Sequence, residues 1–134
     1  ASDVYKRQKY YNDSKGTNPD AAIKAVCAMP SPTILIGGGY DKKSSYDEWV
    51  ATFEGRVKEL LLIGKTKHDI AAACDRAGFK AYKFVDTLEE AVSIAAADAE
   101  SGDCVLLSPA CASWDMFKCY QQRGEIFKDC VRAL

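Results

Sequence analysis

Apolar residues fall in short blocks along this chain, and the blocks alternate between two patterns. Thr33-Ile34-Leu35-Ile36, Val57-Lys58-Glu59-Leu60-Leu61-Leu62-Ile63 and Cys104-Val105-Leu106-Leu107 are nearly unbroken apolar runs. Runs of this length predict strands buried on both faces. Tyr10 to Asn12 predicts a short strand before them, and Phe79 to Val85 a further one. Between these runs the period changes to that of a helix. Pro19 to about Ala28 predicts a helix with Asn18 as N-cap, Pro19 at its first position and Asp20 at the positive end of its dipole. Met29-Pro30-Ser31-Pro32 stops it. A second helix is expected near Tyr46 to Glu54, capped by Ser44 or Ser45. Lys67 to Ala77 places Ile70, Ala73 and Cys74 on one face and ends at Gly78. Thr87-Leu88-Glu89-Glu90 opens a fourth helix in the manner of a capping box, with Ala91, Val92, Ile94 and Ala95 inward. Beyond Cys104–Leu107, a loop over Ser108–Ser113 leads to a short helix, Trp114 to Gln121. Gly124 is expected to break it, and Glu125 to Leu134 to form a last amphipathic helix. The stretch before Tyr10 is polar and aperiodic, and is expected to be a frayed or non-native segment.

Strand and helix thus alternate five times. That order predicts a three-layer α/β domain over residues 10–134, a Rossmann-like open and mostly parallel sheet with helices on both faces. Ligands of such sheets bind outside the carboxyl ends of the strands.

Composition narrows the function classes. The chain has 134 residues, enough for one domain with a real core. Its net charge of −1 makes no electrostatic case for nucleic acid or an acidic membrane surface. The apolar runs fall far short of the roughly 20 residues that span a bilayer, and no leader-like segment is visible near the start. None of the six cysteines forms a C-x-x-C pair, which disfavours a structural zinc site; most fit apolar patterns, as in a reduced, cytosolic chain.

Three loops follow predicted strand ends and can face one crevice. They are Asn12–Asp20, the run Gly37-Gly38-Gly39-Tyr40-Asp41-Lys42-Lys43, and Ser108–Ser113. They bring Lys15, Lys42, Thr17, Ser108, Ser113 and free N–H groups at helix starts, a set suited to a phosphate or carboxylate. Each piece also has a plainer reading: glycine runs are often only turns, and Ser113 is a good N-cap. Gly64-Lys65-Thr66 resembles the tail of a P-loop, but position 59 is Glu59 where the first glycine should stand, so no Walker A site is read here. His68 reads as a surface residue, and Cys111 as no nucleophile. On the residues alone, the reading stops at an α/β domain for a small acid or nucleotide.

At these loops the chain resembles the carboxy-terminal domain of the Mur ligases. Asn12-Asp13-Ser14-Lys15-Gly16-Thr17-Asn18-Pro19 is similar to their Asp-plus-Asn-Pro motif, in the form carried by the D-glutamate-adding branch. Gly38-Gly39-Tyr40-Asp41-Lys42 and Ser108-Pro109-Ala110-Cys111-Ala112-Ser113-Trp114-Asp115-Met116-Phe117, with Arg123-Gly124 and Phe127, are similar to that branch's later motifs. The resemblance runs from about Tyr10 to Leu134. It implies an ATP-dependent amide ligase of bacterial cytoplasmic peptidoglycan precursor synthesis, expected to be a monomer. Its substrates would be D-glutamate and UDP-N-acetylmuramoyl-L-alanine. By position, Thr17, Lys42, Ser113, the backbone near Trp114, and Tyr120 would line a D-glutamate pocket. Asp13 and Asn18 would face the adenosine, and Lys15 the phosphates, where its charge would act catalytically. No metal ligand is expected in this chain. The Mg²⁺ ligands, the P-loop and the UDP-binding domain would lie outside these residues. The sequence departs from the pattern at Gly16, where alanine is commoner, at Trp114 (often leucine) and at Cys119 (often asparagine).

Overall fold

The computed structural model describes residues 2–5, 8–40, 45–113 and 116–134, the first four by backbone alone. Six strands form one sheet: β1 (Ser2–Tyr5), β2 (Gln8–Asn12), β3 (Thr33–Gly37), β4 (Val57–Leu62), β5 (Tyr82–Phe84) and β6 (Cys104–Leu107). Their order is β1-β2-β6-β3-β4-β5, parallel throughout except for β1. Five helices connect and cover them: α1 (Pro19–Ala28), α2 (Asp47–Val50), α3 (Lys67–Ala77), α4 (Leu88–Asp98) and α5 (Tyr120–Arg132).

The predicted alternation holds, and the continuous runs are explained by where they sit. Every residue of β3 and of β6 is buried, because these two strands are central and covered on both faces. Side chains leave alternate faces of a strand. Leu35, Leu60, Leu62 and Leu106 therefore join one core with α1, α2 and α3. Ile34, Ile36, Leu61, Val105 and Leu107 join the other with α4 and α5. The chain moves across the sheet in one direction from β2 to β5 and reverses at β5→β6. Right-handed crossovers then put the helix of the reversed connection on the opposite face, as α4 is.

The structure corrects two expectations about local order. Ser2–Tyr5, expected to be frayed, is a strand paired antiparallel to β2. An edge strand pairs through its backbone and needs no apolar alternation to form. Gly124, expected to break a helix, lies inside α5, which runs unbroken from Tyr120 to Arg132. A Cβ at this position would stand 2.9 Å from Asn12 Nδ2, so the glycine serves close helix-to-loop approach, not termination. Helix α2 is shorter than expected, and Tyr46 rather than a serine occupies its N-cap position without a side-chain cap. β5 is confined to Tyr82–Phe84.

Candidate functional site

Strands β2, β6 and β3 are adjacent and parallel, so the loops after them leave the sheet side by side. This is the position where the strand order switches, the usual ligand crevice of an open α/β sheet. Backbone hydrogen bonds fasten the three loops together. Asp13 N–H donates to Leu107 C=O (2.7 Å), and Ala110 N–H to Gly16 C=O (3.0 Å). Gly38 N–H donates to Pro109 C=O (2.9 Å), and Tyr40 and Ala112 exchange two bonds of 2.8 Å. Ala110 has φ 62°, a left-handed conformation costing a non-glycine residue about 1 kcal/mol. Its bond to Gly16 and its full burial hold it there.

The side chains of the opening loop divide by environment. Asp13 Oδ2 accepts from Ser108 Oγ at 2.8 Å. Burial pushes the Asp13 carboxyl above the usual aspartate range, while the Ser108 hydroxyl and the Arg123 charge pull it back. A Cβ at Gly16 would lie 2.6 Å from Asp13 Oδ2 and 3.1 Å from Ser108 Oγ. An alanine here would therefore displace this carboxylate. Asn18 is exposed and caps α1, its side-chain oxygen accepting from Ala21 N–H at 3.0 Å. Lys15 is exposed, and Thr17 half-buried.

A shallow cleft of about 190 Å³ lies between the opening loop and α5, lined by Asn12, Ser14, Lys15, Tyr120, Gln121, Gly124 and Glu125. It brings together Lys15 and Tyr120, which the resemblance gave to different ligands. Ser113 is buried, and its carbonyl accepts from Met116 and Phe117 N–H at 3.2 and 2.8 Å, a helix-like turn. Lys42 and Trp114 lie outside the described residues. Among the described residues no group of three or more His, Cys, Asp or Glu side chains is placed to hold a metal ion.

Three residues that sequence reasoning did not place in the site hold it together. Ser14 Oγ donates to Tyr120 C=O at 2.6 Å. Thr66 Oγ1 accepts from Gly39 N–H at 3.0 Å and lies 3.3 Å from Cys111 Sγ, which also meets Tyr46 OH at 3.2 Å. Arg123 is 1% exposed and bonds to both Ser14 and Cys111. Arg123 had a detectable signal: it precedes Phe127 and Val131 at four-residue spacing, a charge on the inward face of a helix. Cys111 is 1% exposed, and His68 packs on the surface against Phe84, where the sequence put it.

An α/β sheet with three loops fastened together at its switch point places this chain in the doubly wound class. The family "Mur ligase, glutamate ligase domain" matches residues 3–111, and the chain belongs to it. It is 59% identical over 125 residues to a UDP-N-acetylmuramoylalanine–D-glutamate ligase from Lachnospira eligens, covering 93% of this chain. It is 56% identical to the ligase of that name from Lachnoclostridium phytofermentans, covering 94% of this chain. The chain spans 28% of the length of each of these curated relatives. Among solved structures, the UDP-N-acetylmuramate–alanine ligase from Thermotoga maritima superposes with a TM-score of 0.62 at 11% identity, over 99% of this chain and 29% of that one. The folylpolyglutamate synthase from the same organism superposes at 0.55 and 15% identity, over 81% and 27%. These two likenesses establish the fold. No helix among the described residues is long and apolar enough to cross a membrane.

Proposed function

We propose that this chain is the carboxy-terminal domain of a ligase that joins D-glutamate to UDP-N-acetylmuramoyl-L-alanine in the bacterial cytoplasm. The observation that carries the reading is the 59% identity to a ligase of that name over nearly the whole chain. The tied loops agree with it in chemistry. D-Glutamate presents two carboxylates, which need a cation and several donors. Lys42, Thr17, Ser113, the backbone near Trp114 and Tyr120 are the groups we assign to it. Asp13 and Asn18 are assigned to the adenosine of ATP. Lys15, exposed at the cleft edge, is assigned to its phosphates, where an ammonium stabilises charge on the transferring group. ATP, when bound with Mg²⁺, supplies the phosphoryl group that activates the substrate carboxylate. The residues of this chain bind, orient and neutralise. The P-loop and the metal ligands belong to the rest of the ligase, so the 134-residue chain alone neither hydrolyses ATP nor forms the amide.

Lys42→Ala in the complete ligase tests the reading. Loss of a charge-assisted contact, about 1.5–3 kcal/mol, should weaken D-glutamate use by about ten- to a hundred-fold. Unchanged D-glutamate kinetics would count against the assignment. Titration of the chain with D-glutamate, followed by amide NMR, provides a second check. Shifts confined to the three loops support the proposal. Shifts elsewhere, with no ligase activity in the complete protein, would point to a stand-alone binding module.

A further inference from the structure

Arg123 is the largest fully buried side chain after Trp49 and carries a full charge. Removing a guanidinium from water is costly unless every donor direction finds a partner. Here Nε donates to Ser14 Oγ (2.9 Å), Nη2 to Ser14 C=O (2.6 Å) and Nη1 to Cys111 C=O (3.0 Å). The two acceptor residues lie on different loops, 97 positions apart by their numbers, Ser14 and Cys111. We infer that Arg123 is a positioning residue: its planar fork fixes the opening loop and the Ser108–Ser113 loop at one separation, so that groups on both loops reach the same bound amino acid.

The geometry around Arg123 is consistent with that role and exceeds what packing needs. An apolar residue beside Phe127 and Val131 would close this face of the sheet without burying a charge. Arginine instead bonds the residue before Lys15 and the residue two before Ser113. Ser14 passes the link back to the helix through its bond to Tyr120 C=O, and Asn12 Nδ2 adds a bond to Gly124 C=O at 3.3 Å. Tyr120, Thr17 (three residues after Ser14 in the opening loop) and Ser113 are thus referred to one rigid group on α5. A lysine could keep the charge but would lack the fixed fork that spans two loops. The inference rests on the proposed amino-acid site, since only a ligand touching both loops would sense their separation.

Arg123→Lys separates positioning from mere folding. In the 134-residue chain, amide exchange at Gly16 and Ala110 should rise by about ten-fold or more, while the β3 and β4 amides keep their protection. In the complete ligase, the D-glutamate KM should rise by about ten- to a hundred-fold, since a shift near 1 Å can cost on the order of 10². The KM for the UDP-linked substrate should stay unchanged. Equal loss of protection throughout the sheet, or an unchanged D-glutamate KM, overturns the inference. Should Arg123→Lys fail to fold, Ser14→Ala removes one acceptor of the fork and must raise the same KM; if it does not, the inference fails. A ligase that takes another amino acid would overturn the D-glutamate reading alone. The positioning role is then judged on the KM of that amino acid.

Discussion

Gly124→Ala tests whether the close approach between α5 and the opening loop is real. In an exposed helix interior this change stabilises by about 1 kcal/mol, because alanine loses less backbone freedom. Here the new Cβ would meet Asn12 Nδ2 at 2.9 Å, Asn12 Oδ1 at 3.2 Å and Ser14 Cβ at 3.3 Å. Asn12 is not free to swing aside. Its Oδ1 accepts from Ser14 N–H at 3.1 Å, and its Nδ2 donates to Gly124 C=O. Overpacking costs about 1–3 kcal/mol, and losing a hydrogen bond of this kind about 0.5–1.5 kcal/mol. These terms outweigh the helix gain, and the net expectation is about 1–2 kcal/mol of destabilisation. With a urea m-value of about 2 kcal/mol/M, the unfolding midpoint of the 134-residue chain should fall by about 0.5–1 M. The same substitution in an Asn12→Ala background should be neutral or stabilising by up to about 1 kcal/mol, because the clashing amide is gone. A midpoint that rises in the otherwise unaltered chain would refute the reasoning, since the helix would then be ordinary at this position.

Other outcomes can be stated more briefly. Ser108→Ala removes the hydroxyl that favours the ionised Asp13, so the Asp13 midpoint should move further up in a carboxyl-carbon NMR titration. Thr66→Val leaves the buried Gly39 N–H without its acceptor and should cost about 1–3 kcal/mol in urea unfolding. Glu59 has a buried oxygen with no hydrogen-bond partner, and burial followed by the neighbouring Asp98 raises its carboxyl above the usual glutamate range, despite Lys83 at 3.4 Å. A raised carboxyl favours the folded state fully below its unfolded value, and this contribution is lost as pH rises through the folded one. Glu59→Gln should therefore raise the melting temperature at neutral pH, and the gain should vanish below the unfolded glutamate value.

The architecture was legible because burial on two faces leaves a direct trace in the chain. Thr33–Ile36 and Cys104–Leu107 read as strands buried on both faces, and the capping residues Asn18, Thr87 and Gly78 lie at their helix ends as expected. That three loops share one end of the sheet followed from the alternation alone, since parallel strands put their carboxyl ends on one side. What the sequence could not determine was neighbourhood. Strand order depends on which crossover returns across the sheet, and β6 inserts between β2 and β3 after the longest excursion. Only that insertion puts Ser108 beside Asp13 and lets Arg123 reach residues 14 and 111. Gly124 was misread for the same reason: local propensity marks a helix break, whereas a glycine forced by an approaching loop depends on a contact 112 residues away. Periodicity and capping are local, and the sequence by itself determined them. Long-range contacts are set by how the layers pack, and the tertiary structure alone decided which polar residues hold the loops of this site together.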